Sequence, residues 1–398
     1  MTPRILTFST LFPNRINPNH GIFVGERLKH LLDSGEIESR VVAPVPWFPV
    51  THPGLNPYAW MGRRVPSREG FHRGVEVLHP RYFLVPKLGM TTAPFFLAAG
   101  ALPAIRACLR EGFDFDLIDA HYFYPDGVAA WLLGAHFGKP VVITGRGSDL
   151  NQIPRHLLPG QLIRHAARQV AGLVTVSASL KTVLTGSMGI PEEKVVVLRN
   201  GVDLERFSPG NREAARRRLG LTRPTLLSVG YLIDRKGHDL IIRALDELPE
   251  MELLIVGEGP ERGALQTLAN NLGLAHRVRL VGALPQEALP DYYTAADLLV
   301  LASDREGWAN VMLESMACGT RVAATNVWGA PEAITTPEAG LLIQRRTPGA
   351  IALAVRELGR MPADPQATRR HAQRFSWEAT TRGQLALFRD IVQKNALA

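Results

Sequence analysis

Two carboxylates, Glu306 and Glu314, stand with seven residues between them in the stretch "SDREGWANVMLESMACGT", residues 303–320. Glu306 lies in a loop-like segment. Glu314 lies in an apolar run with Val311, Met312, Leu313, Met316 and Ala317. An unpaired carboxylate is costly to bury. Glu314 therefore faces outward, pairs with a cation such as Arg321, or receives a polar ligand. Hydroxyls are natural donors to such carboxylates, so the pair suits a polyol. The pattern predicts a helix capped at Asn310 and stopped at Gly319. Its first N–H groups, near Asn310 and Val311, carry the positive end of the helix dipole and suit a phosphate.

Other polar groups follow predicted strands. "VGYLIDRKGHD", residues 229–239, puts Arg235 and Lys236 after one strand. An Arg that clamps and a Lys that acts as a point charge suit a diphosphate. The plain alternative is a solvated basic loop. Gly21, in "NPNHGIFVGERLKHLL", precedes a helix from Ile22 and lets a phosphate approach the backbone, or simply makes a turn. His121 ends the strand of "FDLIDAH", and "TGRGSD" places Arg146, Ser148 and Asp149 at another strand end. "GEGPERG", residues 257–263, has the wrong spacing for a dinucleotide fingerprint, and Pro260 reads as the first residue of a helix. No phosphate-binding P-loop and no metal-ligand spacing occurs.

Elements must hold these groups. Short β-branched runs alternate with helical patterns up to about residue 198, and the alternation restarts after residue 220. This predicts two doubly wound α/β domains with parallel sheets, joined through "NGVDLERFSPGNREAARRRLGL", residues 200–221. In such sheets ligands sit beyond the carboxyl ends of the strands.

The 398 residues are 46% hydrophobic and 21% charged, the composition of a globular enzyme. Cys108 and Cys318 form no disulfide framework, and a reducing compartment fits them best. The N-terminus "MTPRILTFST" reads as a first strand rather than a signal peptide. No stretch reaches about 18 consecutive apolar residues. The net charge of +8 favours anionic partners, but no nucleic-acid-binding signature accompanies it.

"SDREGWANVMLESMACGTRVAATNVWGAPE" resembles the Glu–seven residues–Glu motif of retaining family-4 glycosyltransferases, which have the GT-B fold. "VVLRNGVDLERFSP", "VGYLIDRKG", "IVGEGPER" and "FSWEATTRGQLALF" match that family in order, over nearly the whole chain. The resemblance implies two Rossmann-like domains facing a central cleft. Residues 1–203 would bind the acceptor, 204–374 the nucleotide sugar, and 375–398 would be a helix crossing back to the first domain. Glu306 would hold donor-sugar hydroxyls and be the residue most tied to catalysis, with His121 beside the reacting sugar. Glu314 would hold the ribose, Lys236 and Arg235 the diphosphate, Gly21 the phosphates, Gly307, Asn310 and Val311 the sugar and phosphate, and Leu284 the base. Arg146 and Asp149 would face the acceptor. The family often has Arg where this chain has Tyr231, directly after the glycine of the "VG" strand.

The implied activity is transfer of a hexose-type sugar from a UDP- or GDP-sugar to an acceptor hydroxyl, with retention, in polysaccharide or glycolipid synthesis. No metal or other cofactor is expected, since the cations can replace a divalent ion. The expected location is cytoplasmic, with peripheral membrane contact and a sugar or lipid-linked acceptor as open possibilities. The apolar segment 82–112, "YFLVPKLGMTTAPFFLAAGALPAIRACLREG", reads first as a buried helix and second as a membrane-facing one. Two other readings fit the same fold: a non-catalytic nucleotide-sugar-binding protein and a nucleotide-sugar epimerase.

Overall fold

In the computed structural model, which describes residues 2–49, 59, 62–84 and 89–397, the chain divides into two compact units. Unit 1 comprises Met1–Arg199 with Glu378–Ala398, and unit 2 comprises Asn200–Trp377.

Unit 1 contains strands β1 (Arg4–Phe8), β2 (Glu38–Val42), β3 (Val45–Trp47), β4 (Arg68–Gly70), β5 (Glu76–Leu78), β6 (Arg81–Phe83), β7 (Leu117–His121), β8 (Val141–Gly145), β9 (Gly172–Thr175) and β10 (Val195–Val197). Eight form one sheet in the order β10-β9-β8-β7-β1-β2-β5-β4. Every pairing in it is parallel except the β4–β5 edge. β3 and β6 form a separate parallel pair. The central strands β7 and β8 are buried along their whole length, as strands of a parallel sheet covered on both faces are, so the polar Asp119 and His121 of β7 need partners inside the unit. The C-terminal helix Trp377–Leu397 belongs to this unit because Leu385, Phe388 and Ile391 lie on one helical face and join Ile5, Leu28, Leu117 and Val142 in its core. Burying a side chain such as Phe388 stabilises the packing by about 1.5–3 kcal/mol.

Unit 2 contains β11 (Thr225–Val229), β12 (Glu252–Val256), β13 (Val278–Gly282), β14 (Leu298–Leu301), β15 (Val322–Thr325) and β16 (Gly340–Ile343). Their order, β13-β12-β11-β14-β15-β16, is that of a doubly wound sheet, and all pairings are parallel. The strand order reverses between β11 and β14, so the loops after these two strands mark the switch point.

Three details differ from the sequence-based expectations. The helix after β12 starts at Arg262, so Pro260 sits in the preceding turn rather than at the first helical position. The glycines of that turn serve close packing: at Gly257, with φ 149°, a Cβ would lie 1.8 Å from the Gly230 carbonyl oxygen. The second difference is the helix Gly89–Arg110. By length and composition it is apolar enough to cross a membrane, its Thr, Pro and Gly residues having hidden this from a count of consecutive apolar residues. A third of its most apolar window is buried: one face, with Leu97, Ala101, Ile105 and Cys108, lies in the core, as a buried helix would, and the other is exposed; residues 85–88 of that segment lie outside the described residues. Third, the helix bearing Glu314 runs Asn310–Ala317 with Ala309 at its cap position, so Asn310 is the first helical residue.

Candidate functional site

The loop after β11 tightens into a single turn, Asp234–Lys236, and the loop after β14 carries Ser303 to Ala309. They meet through an ion pair: Lys236 Nζ donates to Glu306 Oε1, and Ser303 Oγ donates to the same oxygen at 2.8 Å. The two side chains are 15% and 11% exposed. Burial works to raise the Glu306 carboxyl, but the Lys236 charge and the hydrogen bonds from Lys236 and Ser303 outweigh it, so Glu306 lies below its usual value. Arg235 adds to the same field and reaches the Arg305 carbonyl oxygen at 3.5 Å. Arg346 braces both loops by donating to the Ala302 oxygen at 2.7 Å and the Asp234 oxygen at 2.9 Å.

Gly307 is buried, and Trp308 behind it donates from Nε1 to the Asn200 oxygen at 3.1 Å. Asn200 also donates from Nδ2 to Asn310 Oδ1 at 3.1 Å. The "RNGVD" junction thereby fixes the start of the helix Asn310–Ala317, whose first backbone N–H groups lie at Asn310 and Val311. Glu314 is buried, and its Oε2 accepts from the Tyr293 hydroxyl at 2.7 Å. Arg321, the cation considered for it, instead donates to the carbonyl oxygens of Leu358, Met361 and Pro362. Leu284 is half-buried in the loop after β13, and Tyr231 is exposed beside Gly230. Replacing Tyr293 with Phe removes a hydrogen bond to a buried charged group. We expect a loss of about 1.5–3 kcal/mol in urea unfolding; an unchanged midpoint would mean that Glu314 does not depend on this hydroxyl.

Unit 1 gathers a second polar cluster at the carboxyl ends of β1, β7 and β8. His121 Nε2 donates to Asp119 Oδ2 at 3.1 Å, and its Nδ1 accepts from Arg146 Nη2 at 2.7 Å. Both ring nitrogens are thus engaged, and burial pushes the imidazole down to about 4, so it is neutral at pH 7. In this state its Nδ1 holds the Arg146 guanidinium in place. The C-terminal helix completes the chain: Gln384 donates to Asp119 Oδ2 at 2.9 Å and accepts from Arg27 at 3.4 Å. Asp149 accepts from the backbone N–H groups of Phe123, Arg146 and Gly147, so it shapes the "GRGSD" turn. Tyr122, next to His121, holds φ at 78°, an uncommon conformation for a bulky residue and one concentrated at functional sites. Gly21 caps the helix Ile22–Asp33 at φ 63°, where a Cβ would lie 2.3 Å from the Leu11 carbonyl group.

Asp126 is fully buried and accepts from the Thr10 backbone N–H and, at 3.1 Å, from its hydroxyl. Burial raises its carboxyl to about 7 from an ordinary 3.8. The folded protein therefore holds a proton that the unfolded chain has lost. That contribution to stability is present below about pH 4 and lost as pH rises through 7. Relative to Asp126→Asn, wild-type stability should fall by up to about 4 kcal/mol over this interval, measured by urea unfolding at several pH values. Parallel curves for the two proteins would contradict the assignment.

Sequence reasoning missed Asp119, Asp126, Gln384, Tyr293 and Arg346. Apart from the Asp119–His121 pair, two positions apart, their partners lie 21 to 357 positions away, and no local motif marks them. Ser303 was within reach, three residues before Glu306. Among the described residues, no group of three or more His, Cys, Asp and Glu side chains could hold a metal ion.

The family model of glycosyl transferases group 1 matches residues 211–375, and that of glycosyltransferase family 4 matches residues 59–206. A D-inositol 3-phosphate glycosyltransferase of Segniliparus rotundus is 32% identical over 332 residues, 77% of this chain and 73% of that protein. One of Thermobispora bispora is 33% identical over 350 residues, 80% of this chain and 81% of that protein. Sucrose-phosphate synthase of Thermosynechococcus elongatus superposes with a TM-score of 0.80 at 21% identity, covering 99% of this chain and 100% of that one. Anabaena HepE, solved in complex with UDP, superposes with a TM-score of 0.70 at 18% identity, covering 96% and 98%. The fold is GT-B, two α/β units each built on a parallel sheet. The chain belongs to the group 1, family 4 glycosyltransferases. It is a glycosyltransferase.

Proposed function

We propose that the protein transfers a hexose-type sugar, with retention, from a UDP- or GDP-sugar to an acceptor hydroxyl. The observation that carries this reading is the Lys236–Glu306–Ser303 contact at the switch point of unit 2, directly before a helix N-terminus. Its cation suits a leaving diphosphate and its carboxylate suits sugar hydroxyls. In this reading Lys236, Arg235 and the N–H groups at Asn310 and Val311 stabilise the departing diphosphate. Glu306 and the Gly307 backbone orient the sugar, Glu314 takes the ribose hydroxyls, and Leu284 flanks the base. In unit 1, Gly21 leaves backbone open to a phosphate before the helix Ile22–Asp33, and Arg146, held by His121 and with its turn shaped by Asp149, serves the acceptor. The HepE complex with UDP supports a uridine carrier. The relatives' name, D-inositol 3-phosphate glycosyltransferase, supports a polyhydroxylated, phosphate-bearing acceptor, for which Arg146 is a fitting partner. Synthesis of a polysaccharide or glycolipid, on the cytoplasmic side, is the setting this chemistry fits.

The acceptor hydroxyl attacks the anomeric carbon from the face that the diphosphate leaves, and the departing phosphate oxygen takes its proton. The test is the anomeric configuration of the product by NMR, with UDP- and GDP-sugars offered to inositol phosphates and simple glycosides. A product with the donor's configuration is expected. An inverted product overturns the mechanism, and an epimerised donor without any acceptor replaces the transferase reading. Metal independence belongs to the same proposal: transfer abolished by EDTA and restored by magnesium or manganese would overturn it.

A further inference from the structure

The positive charge of the chain is concentrated. Residues 39–110 hold nine Lys and Arg against two acids, Glu69 and Glu76, a net +7 of the chain's +8. No acid occurs between Glu76 and Glu111. The acids that border this stretch are engaged: Glu76 and Glu111 both pair with Arg40 and Arg68. Among the described residues, no acid pairs with Arg63, Arg106 or Arg110.

The same stretch builds an aromatic surface. The β3–β6 pair packs against the helix Gly89–Arg110. Across them runs a chain of rings, with centroids 6.2 Å apart for Trp47 and Phe83, 5.4 Å for Phe48 and Phe83, and 5.4 Å for Phe83 and Phe96. Such a cluster ordinarily lies in a core. Here Trp47 and Phe96 are each 37% exposed, and Phe95 and Met90 each 49%. Leu97, Ala101, Ile105 and Cys108 are fully buried on the inner face of the helix. At 100° per residue, Phe95, Ala99, Leu102, Arg106 and Arg110 share its outer face. That face starts apolar and ends in two guanidinium groups, which with Pro103 and Leu109 line an open groove of about 500 Å³. Arg63 is held beside the aromatic rings by the carbonyl oxygens of Phe48 and Pro49.

We propose that this face docks on a bilayer bearing anionic phospholipids. Half-exposed aromatics sit at headgroup depth, and cations without acid partners meet the lipid phosphates. The buried inner face fixes the helix in the core of unit 1, so it lies along the membrane rather than across it. A second copy of the chain fits poorly, because it would bring the same cations against these. Docking also has a consequence for the acceptor. The Tyr124 hydroxyl donates to the Met90 carbonyl oxygen, tying the start of the helix to the turn that follows His121. The acceptor-side groups of unit 1 thus adjoin the docked surface, where a lipid-borne acceptor would present its headgroup. Vesicle binding itself needs no donor, so its failure and the failure of the transferase reading are separate results.

The test is flotation of the full chain with phosphatidylcholine vesicles, with and without one third phosphatidylglycerol. Binding to the anionic vesicles alone is expected, weakening with salt. Phe95→Ser/Phe96→Ser and Arg106→Glu/Arg110→Glu should each lower the partition by at least about tenfold. Far-UV circular dichroism and nucleotide-sugar binding should be unchanged in both. Absence of flotation, equal binding to neutral vesicles, or unchanged binding in both variants would overturn the proposal. So would a dimer that Phe95→Ser/Phe96→Ser dissolves while vesicles stay unbound, which would make the face an interface between copies.

Discussion

Glu306→Gln should lower turnover by at least about 10²–10³ while the protein stays folded. Gln keeps the shape of Glu and can still accept from Ser303 Oγ and Lys236 Nζ, so packing around the loop should hold. The substitution removes the charge and the second strong acceptor that orient the sugar in the transition state. The deficit should therefore fall mainly on kcat, with a smaller change in the KM for donor. Circular dichroism and the urea midpoint report whether the fold survives. Near-normal transfer by this variant would remove Glu306 from the chemistry.

Lys236→Met should have the larger effect on stability. It leaves the Glu306 carboxylate, 11% exposed, without its cation in a largely desolvated site. Breaking a buried pair by removing one partner costs about 3–5 kcal/mol, and the remaining exposure and the nearby Arg235 place the expected loss toward the lower end. The pH dependence should also change sign. In the wild type the lowered Glu306 carboxyl contributes stability above its ordinary value of 4.5, and that contribution is lost as pH falls through the folded value. In Lys236→Met burial acts with less opposition and raises the carboxyl, so stability should instead fall as pH rises. Adding Glu306→Gln should recover most of the lost stability, since no charge is then stranded. Donor binding should stay weak in the double variant, because the diphosphate still lacks Lys236. Restored donor binding would show that Lys236 serves the fold alone.

The parts of the site legible in the sequence are those whose partners are near in sequence or are defined by a strand end. Glu306 and Lys236 stand out because they are charged residues in the loops that follow apolar strands, and Glu314 because it is a carboxylate inside an apolar run. The glycines at 21 and 257 were visible as residue types, but only the close approaches to Leu11 and Gly230 show why nothing larger fits. Asn310 illustrates the limit on boundaries: a good cap by type, it sits one residue inside the helix because Asn200, 110 positions earlier, bonds its side chain. The Arg27–Gln384–Asp119–His121–Arg146 chain was not legible, since it needs a C-terminal helix docked on the first sheet. The short strands β3, β4 and β6 were missed as well. Each has only three residues, too few for an alternation to show, and Pro46 and Gly70 interrupt β3 and β4, although Val45, Trp47, Tyr82 and Phe83 favour strands. The helix Gly89–Arg110 shows a further limit: an apolar pattern says that a face wants cover, not whether the core provides it.

The central claim is that unit 2 holds a nucleotide diphosphate sugar on Lys236 and Glu306. Calorimetric titration of UDP-, GDP- and ADP-sugars into wild type, Lys236→Met/Glu306→Gln and Glu306→Gln tests it most directly. One donor should bind the wild type selectively, and the double variant should bind it at least about tenfold more weakly, with Glu306→Gln between the two. No binding across the panel, or equal binding to all three proteins, would contradict the assignment of this site to the donor.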